Sequence, residues 1–88
     1  MIGGTISQTL RMAAVAFRLG REAVGSEALA RASELIGAMI TDWSEQELQL
    51  LNQLLGKLFQ AQSQKNFLFV ADILEYQILP IFAEPKQG

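Results

Sequence analysis

The stretch from Asn66 to Phe82, NFLFVADILEYQILPIF, decides how this chain folds. Only Asp72, Glu75 and Gln77 interrupt it with strongly polar side chains. A helix with so narrow a polar stripe has to be covered by neighbours on most sides. The stretch therefore predicts a central or interface helix whose apolar surface exceeds what three short neighbours cover. Asn66 is its expected cap. Pro80 removes the hydrogen bond to Tyr76 and is expected to end or kink the helix near Leu79. Pro85 then closes the structured region, and 86–88 are expected to fray.

Upstream, Gln62-Ser63-Gln64-Lys65-Asn66 is a short polar connection, and short connections favour antiparallel helix pairs. The helix before it has a clear start. Ser44-Glu45-Gln46-Glu47 matches a capping box, and Trp43 with Leu48 occupies the two positions of a hydrophobic staple. Leu48, Leu50, Leu51, Leu54, Leu55, Leu58, Phe59 and Ala61 cover about half of its circumference, wide enough to touch two neighbours.

The N-terminal half reads as two more helices. Thr5-Ile6-Ser7-Gln8 also has capping-box form. Ile6, Leu10, Ala13, Phe17, Gly20 and Val24 then share one face, with Ser7, Arg11, Arg18, Arg21 and Glu22 opposite. Gly25-Ser26 breaks the pattern. Ser26 is the expected cap of the second helix, or Gly25 kinks one long helix. Leu29, Ala32, Ile36, Met39 and Ile40 form the apolar side of this second segment. The expectation is an all-α protein, a single domain over 1–88. Its architecture is an up-and-down bundle of about four helices, the third and fourth an antiparallel hairpin.

Composition narrows the function classes. Half of the residues are hydrophobic and 18% are charged, an excess for so short a chain that points to a homo-oligomer, a dimer by default. Seven basic residues stand against nine acidic ones, without the basic excess that phosphate-backbone binding needs, so nucleic acid is excluded. The chain has no Cys and no His. Disulfides, thiolate chemistry, the usual zinc ligands and the usual proton shuttle are therefore missing. No apolar run is long enough to span a membrane and no secretory leader is legible, so a cytoplasmic location is expected. No cofactor is expected, because the glycines lack the strand–loop–helix setting of a phosphate loop.

Two residue groups are candidates for partner binding. Asp72 and Glu75 lie three apart on one helical face with Tyr76 beside them, a solvated stripe or a set of partner contacts. As catalytic carboxylates or metal ligands they would want further inward acids and a histidine. Arg11 and Arg18, with Arg21, form a basic cluster that an acidic partner or the acidic C-terminal half would neutralise. Ala13 and Gly20 are small and would let a helix approach closely. Gln77, among apolar positions, is either a buried amide that sets a dimer register or a bond to the backbone near Pro80.

The run Val70-Ala71-Asp72-Ile73-Leu74-Glu75-Tyr76, followed by Leu79-Pro80, resembles the C-terminal signature, "ADLLEYEL-P", of short bacterial all-helical proteins of uncharacterised function. Gln77 departs from it where an acid is common. The resemblance covers the last third of the chain and implies a helical fold and no particular activity. In size, acidic balance and helix order the chain is also similar to the flagellin-export chaperones, although it lacks their tyrosine-bearing N-terminal motif. That likeness implies a client-binding role. The expected function is a non-enzymatic protein-interaction module of secretion-chaperone or adaptor type, with a helical peptide as client. The alternative is a carboxylate-dependent enzyme or metal-binding protein.

Overall fold

A computed structural model describes residues 2–83, and within them the chain is all-α, with no strand. Four helices follow one another: α1 (Ile2–Arg18), α2 (Glu22–Met39), α3 (Glu45–Ser63) and α4. A 3₁₀ turn, Ile40–Asp42, follows α2. Helix α4 consists of α-helical Phe67–Asp72, π-helical Ile73–Ile78 and a last α-helical turn, Leu79–Ala83. Helix α1 lies between α2 and α4, and α3 packs against α4. Helices α2 and α3 make little direct contact, but Gln62 Nε2 donates to Ser26 Oγ at 2.9 Å and ties them together.

Both tight corners use the same termination chemistry. At the end of α1 the Gly20 N–H donates to the Phe17 carbonyl (3.1 Å) and the Arg21 N–H to the Ala16 carbonyl (2.8 Å). This Schellman pattern requires a left-handed residue, which Gly20 supplies at φ +77°. At the end of α3, Lys65 donates to Gln62 (3.0 Å) and Asn66 to Ala61 (2.9 Å), with Lys65 itself at φ 61°. Asn66 then turns the corner into α4, its Oδ1 accepting the Phe69 N–H at 3.4 Å. The hairpin of α3 and α4 follows from this reversal.

The capping box at Ser44 forms as read: Ser44 Oγ accepts the Glu47 N–H at 3.2 Å, and Glu47 Oε1 accepts the Ser44 N–H at 2.9 Å. Trp43 stacks on Phe82, ring centres 5.4 Å apart, so the start of α3 is pinned to the end of α4. The other two starts differ from expectation. Helix α1 begins at Ile2, which places Thr5 within it, and α2 begins at Glu22, which places Gly25 and Ser26 inside its first two turns. The break is at Gly20, because between α1 and α2 it is Gly20, not Gly25, that takes positive φ. Gly25 neither separates nor kinks helices. It is glycine because the Phe17 ring lies where its Cβ would be, 2.9 Å from three ring carbons.

Helix α4 departs most from the sequence reading. Pro80 neither ends nor interrupts it. The Leu79 N–H donates to the Leu74 carbonyl, five residues back, and the helix continues through Pro80 to Ala83. Widening the turn accommodates a proline that has no N–H to give. It also aligns residues five apart. Ile73 with Ile78, and Leu74 with Leu79, would diverge by about 140° on an α-helix, yet all four are buried together. Tyr76 and Gln77 turn outward instead, so Gln77 is an exposed amide and sets no register by burial within the chain. Val70, Ala71, Ile73, Leu74, Ile78 and Phe82 are covered by α1 and α3. The inner face of α4 thus needs no second copy to cover it. The stripe of α3 is correspondingly narrower than expected, with Leu51, Leu54, Leu58 and Ala61 buried and Leu50 and Phe59 exposed. The expected closure at Pro85 and fraying of 86–88 lie outside the described residues.

Candidate functional site

The two predicted polar groups meet each other. Arg18, at the last turn of α1, reaches across to α4. Its Nη2 donates to Glu75 Oε1 at 2.7 Å and to Asp72 Oδ1 at 3.0 Å, and its Nε donates to the same Glu75 oxygen at 3.2 Å. The guanidinium also stands 6.0 Å from the centre of the Tyr76 ring. The hydrogen bond to Glu75, then that to Asp72, raises the Arg18 pKa above its ordinary value. This cluster is a strut between α1 and α4, worth little because all three side chains remain about a third or more exposed. Asp72 and Glu75 each commit one oxygen to Arg18, and among the described residues they do not converge on further acids. Among the described residues no three His, Cys, Asp or Glu side chains come together to hold a metal ion.

Of the small residues expected to allow close approach, Ala13 is fully buried in the core and Gly20 is the exposed corner residue. They do not share a helix face, since α1 ends before Gly20. A groove does lie between α1 and α4, lined by Arg11, Ala14, Val15, Glu75, Tyr76 and Leu79, and a more apolar one lies between α1 and the start of α2.

The groove between α1 and α2 was missed because α1 has two apolar faces and the sequence reading used one. Ile6, Leu10, Ala13 and Phe17 point inward and are buried. Met12, Val15 and Leu19, spaced three and four apart, lie on the opposite side. They are 60%, 55% and 62% exposed, and Val24 of α2, 51% exposed, lies beside them. Together they floor an open groove of about 340 Å³ with Arg11 and Arg21 on its rim. The 12-15-19 spacing was the available signal. The apparent membership of Val24 in the inward face, an artefact of carrying α1 past Gly20, concealed it. Two further depressions adjoin the groove, one of about 380 Å³ through Met12 and Val24 toward Glu27 and Arg31, the other of about 370 Å³ through Arg11 and Val15 toward Glu75 and Tyr76.

Among the described residues no helix is long and apolar enough to cross a membrane. Comparison with curated proteins and with solved structures gives no match. One family pattern does match, over residues 4–88, and it carries the description Domain of unknown function (DUF8042). With nearly its whole length matched, and with an all-α fold of four helices, the chain belongs to the DUF8042 family.

Proposed function

We propose that this chain is a non-enzymatic protein-interaction module that takes a helical segment of another protein into the groove between α1 and α2. The observation that carries this reading is the outward row Met12, Val15 and Leu19 with Val24 beside it, each more than half exposed. Leaving four such side chains in water forgoes about 1 kcal/mol apiece. Rows at helical spacing in a groove are the form that accepts a complementary helix. The occupation of Asp72 and Glu75 by Arg18 favours this reading over a carboxylate-dependent enzyme. An adaptor or secretion-chaperone role in the cytoplasm is the functional form of the same reading. A homodimer would have to use surfaces other than the inner face of α4.

Chemical-shift mapping of the full chain tests it, with an amphipathic helical peptide of balanced charge as probe. Shifts confined to 11–24, abolished by Val15→Glu at unchanged fold, are expected. Absence of binding up to about 1 mM, weaker than about 4 kcal/mol of affinity, would refute the reading, as would shifts centred on α3.

A further inference from the structure

The chemistry of the groove rim specifies the partner. Resting on the groove proposed as the binding site, we infer that the occupant is an acidic amphipathic helix from another protein, not a second copy of this chain. Arg11 and Arg21 flank the apolar floor, and among the described residues no acidic side chain lines it. Among the described residues neither arginine makes an ion pair, whereas Arg18 is taken by Asp72 and Glu75, and Lys65 by Glu22 at 3.4 Å. Glu22, the acid next to Arg21 in sequence, is therefore turned to the end of α3. The adjoining depressions do hold acids, Glu27 and Glu75, so of these three the groove between α1 and α2 is the one whose lining carries cations and no acid.

This charge pattern opposes self-pairing. A two-fold antiparallel contact centred on Val15 sets Arg11 of one copy, four residues before the centre, beside the Leu19–Arg21 end of the other. A parallel contact sets Arg11 on Arg11. Either arrangement brings like charges together around an apolar centre, which disfavours it. An acidic helix meets both requirements at once. Arg11 and Leu19 are eight residues apart, about 12 Å along the helix. The partner then carries apolar residues at i, i+3 or i+4, and i+7, flanked by acids about two turns apart.

The test uses the full chain and a displayed set of helical peptides about 18 residues (~27 Å) long, with leucine fixed at those positions and Glu, Gln or Lys at the flanks. Selection of Glu is expected. The Glu-flanked peptide should bind about tenfold more tightly than the Lys-flanked one at ~0.1 M salt, and the advantage should shrink at ~1 M. Arg11→Glu with Arg21→Glu should reverse the preference at an unchanged melting temperature. If both peptides bind equally and Val15→Glu abolishes both, the groove reading stands and the acidic partner is overturned. If no peptide binds and light scattering finds a dimer that Val15→Glu dissociates, the occupant is a second copy and the inference is overturned. A monomer that binds none of the peptides overturns the groove reading itself.

Discussion

Replacing Gly25 with alanine should destabilise this protein, although the same replacement at Gly56 should stabilise it. Both glycines are inside helices, where alanine is favoured by about 0.8–1 kcal/mol. At Gly56 a new Cβ meets nothing within 4 Å, so that gain stands alone. At Gly25 it falls 2.9 Å from Cδ2, Cε2 and Cζ of Phe17. The ring has little freedom to retreat: Phe17 is 1% exposed and stacks on Phe67 with centres 5.6 Å apart. Forcing a methyl into such a site costs about 1–3 kcal/mol. The two variants should therefore differ by about that amount, with Gly25→Ala on the losing side by about 1 kcal/mol. In a domain of this size each kcal/mol moves the melting temperature by about 4–8 °C. Urea unfolding of both variants, monitored by circular dichroism, measures the difference. The same step in a Phe17→Leu background isolates the ring, and a coupling of about 1 kcal/mol or more is expected. If Gly25→Ala is as stable as Gly56→Ala, or shows no coupling to Phe17, then helix α2 does not start where described and the reasoning fails.

Lys65→Gly should stabilise the chain by about 0.5–1 kcal/mol, because a left-handed L-residue is strained and glycine is not. The exposed pair with Glu22 that it removes contributes little, and a lower urea midpoint would contradict this account. Ser44→Ala should cost about 1 kcal/mol by unmaking the capping box, and a midpoint within error of the parent would show that the box contributes nothing to folding. The raised pKa of Arg18 means its stabilisation is complete below the unfolded-state pKa and is lost only as pH rises through the still higher folded-state value. The melting difference between the parent and Arg18→Ala should therefore stay constant from pH ~7 to ~9, and a drift across that range would show that another group controls the strut.

Local chemistry made much of this fold legible in one dimension. A hydroxyl followed three residues later by Glu caps α3 at Ser44, Asn66 caps α4, and 62–66 reverses the chain. Each of these signals is complete within a few residues, so reading them needs no knowledge of the neighbours. The absence of Cys and His likewise restricts the chemistry whatever the fold. Where the reading went wrong, the deciding partner was distant in sequence or the backbone left ideal periodicity. Gly20 and Gly25 look equally able to break a helix, and only the position of the Phe17 ring assigns one to the corner and the other to a close contact. A uniform 100° step placed Gln77 inside and stopped α4 at Pro80. The π turn, which lets Ile73 and Ile78 share a face, is chosen by burial against α1 and α3. The candidate site divides the same way. The arginines and the Asp72–Glu75 stripe are visible as residue types, but tertiary packing decides that Arg18 is consumed by that stripe while Arg11 and Arg21 make no ion pair among the described residues. Composition likewise shows an excess of apolar side chains, and only the packing of α1 between α2 and α4 determines that Met12, Val15 and Leu19 are among those left facing water.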